Sequence, residues 1–243
     1  MKPLGNAAAK IKLQLFLSHN GFCSRRKAFD LICQGGVKVN HAIVREPSFM
    51  VDDKKDSVCV EGKEVTVQSL QYVLLHKPAG YVTTVSDRFA EKTVFDILPS
   101  SYKGLFPVGR LDKETEGLLL LTNDGDLAYR LTHPKFNAYK KYFVRISGKL
   151  HDKEKQKIEQ GVMVEGKKTA PARITHVIFR GDKTELYLTI HEGRKRQIRL
   201  MFPQVGHQVV YLKRVAQGAL ELGHLPIGLY RELTKQEVEL LKK

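Results

Sequence analysis

The chain has 243 residues, 42% of them apolar, enough for one good core or for a full domain with a small one beside it. Its formal net charge is +15 and its pI about 9.7. Such an excess disfavours a compact state unless a polyanion uses it, so nucleic acid is the expected partner, with a solvated lysine-rich surface as the alternative. Cys23, Cys33 and Cys59 are odd in number and lack C-x-x-C spacing, which argues against a disulfide framework or a zinc site. No apolar run reaches the roughly 18 residues of a membrane span, and residues 1–20 hold no leader-like apolar stretch, so a cytoplasmic protein is expected.

Leu13, Phe16 and Leu17 fall on one helical stripe that Gly21 ends. Ser24 reads as the N-cap of a second helix, whose stripe is Ala28, Leu31 and Ile32 and whose stop is Gly35-Gly36. Val37 and Val39, then Val58 and Val60, alternate with polar residues as strands do. Residues 61–69 read as a polar linker. Beyond Leu70 the strands lengthen. Residues 72–75 lead into the loop Lys77-Pro78-Ala79-Gly80, and the apolar run 117–122 ends in the turn Asn123-Asp124-Gly125. Tyr142, Val144 and Ile146 alternate cleanly along another strand. A helix over 152–160 ends at Gly161, strands 172–179 and 185–190 flank the hairpin signal Gly181-Asp182, and Thr234 with Glu237 makes a capping box for a last helix. Strands outnumber crossover helices, which predicts an α+β fold: a small helical/β domain over 10–63, then a mixed, mainly antiparallel sheet with flanking helices over 70–243. The first ten residues are expected to be disordered.

The first segment is unusually basic. Up to Arg45, the cations Lys2, Lys10, Lys12, Arg25, Arg26, Lys27, Lys38 and Arg45 stand against Asp30 alone. Arg25, Arg26 and Lys27 occupy the first turn of the second helix, where the macrodipole disfavours cations by a few tenths of a kcal/mol each. A cluster kept against that cost suggests a phosphate grip. Residues 11–62, with S-R-R-K-A at 24–28 and G-V-K-V-N at 36–40, resemble the S-four-like RNA-binding domain. The resemblance implies RNA contacts by Ser24, Arg25, Arg26, Lys27, Lys38 and Asn40. His41 stands where a glycine is usual, and Phe29 where an acidic residue is usual.

The most informative run is Gly109-Arg110-Leu111-Asp112-Lys113-Glu114-Thr115-Glu116-Gly117-Leu118-Leu119-Leu120-Leu121-Thr122-Asn123-Asp124-Gly125. Asp112 sits in a loop before an apolar strand, flanked by Arg110 and Lys113, which hold it ionised. That state suits a nucleophile or base better than an acid. From spacing alone, a solvated turn aspartate paired with arginine is the better reading. The run is similar, almost position for position, to the main motif of the bacterial ribosomal RNA pseudouridine synthase family, which includes small- and large-subunit enzymes. Lys140-Lys141-Tyr142-Phe143-Val144 resembles that family's K-x-Y-x-V strand. Glu192-Gly193-Arg194-Lys195-Arg196-Gln197-Ile198-Arg199 resembles its E-G-R-x-x-Q-[VI]-[RK] segment, which by itself reads as a basic helix start. Lys77-Pro78-Ala79-Gly80 resembles its K-P-x-G loop, with His76 in place of the common asparagine. Leu212-Lys213-Arg214 and the stretch 228–234 resemble its closing segments.

The resemblance implies the roles. Asp112 is the catalytic carboxylate, Tyr142 packs against the target base, and Arg199 pairs with Asp112. Ile198 lies beneath the base, Arg110 contacts RNA beside the flipped nucleotide, and Lys77, Arg194 and Arg196 are expected on the substrate. The reaction isomerises a uridine, so neither metal nor cofactor is expected. The implied partner is ribosomal RNA or an assembling ribosomal subunit, with the chain a monomer and no membrane involved. The arginine of Lys195-Arg196 leans towards the large-subunit members, whereas Leu200 departs from the arginine common in them and Met201-Phe202 is also frequent in the small-subunit ones. A non-catalytic RNA-binding assembly factor remains the other reading.

Overall fold

The computed structural model describes residues 10–85, 92–102 and 104–243. Of the ten residues expected to be disordered, 1–9 lie outside that range. The chain divides into two compact units, Met1–Gln71 with Tyr102–Leu105, and Tyr72–Ser101 with Phe106–Lys243.

The first unit begins with strand β1 (Ile11–Lys12) and helices α1 (Leu13–His19) and α2 (Arg25–Cys33). Both stripes face inward: Leu13, Phe16, Leu17, Ala28 and Ile32 are buried against Val37, Val39, Val58 and Val60. Ser24 caps α2, its Oγ accepting from the Lys27 N–H. Strands β2 (Val37–Val39), β3 (Ala42–Ile43), β4 (Met50–Val51), β5 (Val58–Val60) and β6 (Lys63–Glu64) follow. The order β3-β2-β5-β6 makes one antiparallel sheet, and β1 pairs with β4. The start of the expected linker is therefore a strand. Residues 61 and 62 turn through positive φ, Lys63 and Glu64 pair back on β5, and Val65 joins the core. Both β6 side chains face water, so no apolar alternation announced it.

The second unit is built on one nine-stranded sheet. Its strands are β7 (Tyr72–Lys77), β8 (Phe106–Pro107), β9 (Glu116–Thr122), β10 (Lys140–Ser147), β13 (Arg173–Arg180), β14 (Lys183–Ile190), β15 (Val209–Gln217), β16 (Leu220–Glu221) and β17 (Tyr230–Glu232). Between β10 and β13 lie helix α4 (Asp152–Gln160) and the small hairpin β11 (Met163–Val164) and β12 (Lys167–Lys168). The order β13-β14-β10-β15-β9-β7-β17 is antiparallel at every step but one: β15 and β9 run parallel. Strand β9 is buried along its whole length, as its unbroken leucine run requires.

One helix went unread. Asn123-Asp124-Gly125 is no free turn: Asp124 is the N-cap of α3 (Gly125–Thr132), its carboxylate accepting from the Leu127 N–H. Leu127 and Leu131 of α3 and Leu241 of the last helix, α6 (Lys235–Lys242), join Leu74, Leu118 and Leu120 of the sheet in one core cluster. The Thr234–Glu237 capping box of α6 is formed.

Candidate active site

Asp112 lies in the segment between β8 and β9, and three anchors fix that segment. Lys77, at the end of β7, has no exposed surface. Its ammonium donates to the carbonyl oxygens of Pro78 (2.9 Å), Asp112 (3.2 Å), Lys113 (3.1 Å) and Thr115 (2.8 Å). Burial pushes its pKa from 10.5 down to about 8, against the pull of Glu114, Asp112 and Glu116. The Thr83 hydroxyl donates to the Leu111 carbonyl at 2.8 Å and accepts from the Leu111 N–H at 3.3 Å. Arg199 donates from Nη2 to the Glu114 carbonyl at 3.0 Å. The backbone on both sides of Asp112 is thus held, while its half-buried carboxylate makes no hydrogen bond or ion pair among the described residues.

Asp112 borders a cavity of about 470 Å³. Tyr142 enters it from β10, whose buried side carries Lys140, Tyr142, Val144 and Ile146. Ile198 comes from the short helix α5 (Gln197–Met201), and Leu212 from β15. Arg110 and Arg196 are exposed side chains on the cavity wall. The only other acid in the wall among the described residues, Glu192, is engaged: its carboxylate accepts from the Ala170 N–H and Gln197 Nε2 and lies 3.4 Å from Arg194 Nε.

Several expected contacts differ. Lys77 is enclosed beneath the Asp112 segment, so it cannot touch a substrate. Arg194 borders the cavity, but its guanidinium donates to the Lys167 and Lys168 carbonyls and faces Glu192, tying the β11–β12 hairpin to the loop. Arg199 makes no direct ion pair with Asp112 among the described residues. Its own pKa is lowered by burial, which the nearby Asp112 charge only partly offsets, and its buried Nε has no partner among the described residues. The segment 192–199 is mostly loop, and α5 begins only at Gln197. In the first unit, Arg25, Arg26, Lys27 and Lys38 are exposed. Asn40 is exposed too, yet its amide is taken: Nδ2 donates to Asp56 and Oδ1 accepts from the Ser57 N–H. The Ser24 hydroxyl serves the α2 cap.

Two buried cations in the cavity wall were not foreseen. Arg214 is 1% exposed, and Nε donates to the Leu118 carbonyl while Nη2 is buried without a partner among the described residues. Lys140 donates to the Ala138 carbonyl, and its pKa is lowered by burial and then by the Arg214 charge. A signal existed for Lys140: it shares the inward parity of Tyr142 and Val144. Arg214 becomes Tyr142's neighbour only through the β10–β15 register.

The chain is similar to known proteins along nearly its whole length. The family model described as RNA pseudouridylate synthase matches residues 71–204, and that of the S4 domain matches 11–58. A protein of Aquifex aeolicus (strain VF5) named as an uncharacterized RNA pseudouridine synthase is 40% identical over 235 residues, 96% of this chain and 94% of its own. Ribosomal large subunit pseudouridine synthase B of Bacillus subtilis (strain 168) is 41% identical over 233 residues, 95% of each chain. A crystal structure of a pseudouridylate synthase matches with a TM-score of 0.68 and 32% identity, covering 95% of this chain and 99% of that one.

Proposed function

Since this chain belongs to the RNA pseudouridylate synthase family, we propose that it converts a uridine of ribosomal RNA into pseudouridine, with Asp112 as the catalytic carboxylate. One observation carries the assignment: among the described residues the cavity wall holds a single uncommitted carboxylate, on a backbone fixed by Lys77, Thr83 and Arg199. A glycosidase needs two working carboxylates about the scissile bond, and Glu192 is tied into its own loop. Pseudouridylation breaks the bond from N1 to C1′, turns the uracil, and joins C5 to C1′. C5 gives up a proton and N1 gains one, so the atoms balance without a co-reactant.

Asp112 serves either as nucleophile at C1′ or as base at C2′. Tyr142, Ile198 and Leu212 enclose the free uracil and keep out the water that would leave an abasic site. The departing uracil carries negative charge, and Lys140 and Arg214 favour it electrostatically from a poorly hydrated wall. The target reaches the cavity only after flipping from its stack. Arg110 and Arg196 are suited to the phosphates beside it, and the S4 domain's Arg25, Arg26, Lys27 and Lys38 to phosphates further away. The name of the Bacillus subtilis relative and the pair Lys195-Arg196 favour the large-subunit RNA.

Asp112→Asn is expected to abolish pseudouridine formation while RNA affinity stays within about twofold. Activity above a few per cent of wild type overturns the assignment. Deuterium at C2′ of the target separates the two roles of Asp112, slowing turnover only if that proton moves. Pseudouridine mapping in both ribosomal RNAs of a deletion strain reads the substrate, and a site lost from the small subunit overturns the large-subunit choice.

A further inference from the structure

A flipped uridine leaves neighbours that have lost a stacking partner, and something must hold them. Beside the cavity, the end of α3 and the turn after it carry a cluster of exposed rings. Tyr129 is 48% exposed and Phe136 43%. Their centroids are 5.7 Å apart, and His133 lies 4.7 Å from Tyr129 and 6.5 Å from Phe136. The Lys135 ammonium sits over both larger rings, 5.1 Å from the Tyr129 centroid and 4.7 Å from that of Phe136. The cluster is continuous with the cavity, because Thr132 and Pro134, from the same stretch, line it. A further exposed ring, Tyr139, lies edge-on 6.2 Å from His191, which also lines the cavity.

Rings this exposed bring no core burial, and water gains nothing from them. Their chemistry suits a nucleobase. Every base presents a π-face, so stacking tolerates any sequence, and a cation among the rings meets the phosphate that accompanies the base. Residues 127–139 contain Arg130, His133 and Lys135 and no acid, so the patch suits an anionic partner, and the exposed rings among the cations suit one that also carries bases. His133 accepts at Nδ1 from the Lys135 N–H, so its Nε2 is left to donate outward.

We propose that Tyr129, His133, Lys135 and Phe136 form a landing for the unpaired nucleotide next to the target uridine, its base stacked on the face of one of the two nearly perpendicular rings and edge-on to the other, and its phosphate paired with Lys135. This rests on the RNA substrate proposed above. The landing holds the strand at the cavity mouth and takes no part in bond making or breaking.

The test is a double variant, Tyr129→Leu with Phe136→Leu, which keeps apolar bulk and removes both π-faces. On ribosomal RNA, KM should rise about tenfold and kcat should stay within twofold. In parallel, a short oligouridylate carrying one 2-aminopurine should be quenched by the wild-type chain and much less by the variant. Tyr129→Phe should behave as wild type in both assays. Unchanged KM and quenching in a double variant whose melting curve matches wild type overturns the landing, as does loss of binding in Tyr129→Phe. A patch that instead seats a second copy would change sedimentation on mutation and leave quenching intact, which also overturns it. If the wild type isomerises no RNA, the proposed function falls, while the quenching still reads the landing by itself.

Discussion

The ammonium of Lys77 does what no apolar side chain could do at the end of β7: it satisfies four inward-pointing carbonyls, three of them in the segment that carries Asp112. Three N–H donors serve four acceptors, so at least one bond is shared. Lys77→Met removes this donor from all four and leaves the Asp112 and Lys113 carbonyls only their bonds from the Thr115 and Gly80 N–H groups, and should lower stability by about 2–4 kcal/mol in urea unfolding, with activity falling further than folding explains. Lys77→Arg should not rescue it, because a planar fork does not fit a compact cage of carbonyls. The pH dependence follows from the depressed pKa. Between about 8 and 10.5 the unfolded chain holds this proton more tightly than the folded one, so Lys77's contribution to stability rises with pH across that window. Below pH 8 both states are protonated and the contribution is flat. The stability difference between wild type and Lys77→Met should therefore widen on going from pH 8 to pH 10.5, and a constant difference would show that the ammonium is not desolvated. None of this was legible from the sequence, where a lysine is assigned to water. The K-P-x-G spacing marks Lys77 as special without saying that it faces carbonyls instead of RNA.

At the scale of elements, the parallel contact of β9 with β15 brings Arg214 beside β9, the strand that follows the Asp112 segment, and it depends on Gly117. Gly117 has φ +115, and a Cβ there would lie 2.2 Å from the Arg214 carbonyl oxygen and 2.6 Å from its nitrogen. Gly117→Ala must push the two strands apart, and should cost more than about 3 kcal/mol or prevent folding, read by circular dichroism melting. The opposite sign is expected in the β2–β3 hairpin. Its two-residue turn, Asn40-His41, has φ of 48 and 68, the pattern that favours glycine at the second position. His41→Gly should raise the stability of the first unit by about 1 kcal/mol. The turn keeps its shape despite the missing glycine because the Asn40 side chain is bonded to Asp56 and Ser57. The same local chemistry explains which elements the sequence revealed. Helices α1 and α2 carry apolar stripes and stops, and they form where the stripes run. Helix α3 hid behind Asn-Asp-Gly, which signals a turn, although Asp124 is also a sound N-cap. Strand β6 hid because both its residues face water. For the cavity, the family resemblance points to Asp112, Tyr142 and Ile198, which do line one cavity, whereas Arg214 depends on long-range register and Arg199 reaches a carbonyl where an ion pair with Asp112 was expected.

For the whole molecule, the excess of +15 charges sets how it meets RNA. Arg25, Arg26 and Lys27 form the first turn of α2 with no acid among them, against the helix dipole. Stability and binding should therefore respond in opposite directions. Replacing all three with alanine removes unfavourable charge from the helix start, and should leave thermal stability equal or raise it by a few tenths of a kcal/mol per site. If the cluster grips RNA as proposed, the same variant loses up to three phosphate contacts. Each contact contributes about 0.7 to the slope of log affinity against log salt for a single strand and about 0.9 for a B-form duplex, so the slope should shallow by about 2 to 3. Affinity should fall at low salt and converge with wild type as salt rises, because only the counterion-release component is removed. Filter binding across a salt series, paired with a melting curve, measures both. A variant that melts lower and keeps its salt slope would mean that the cluster serves the fold and not the RNA.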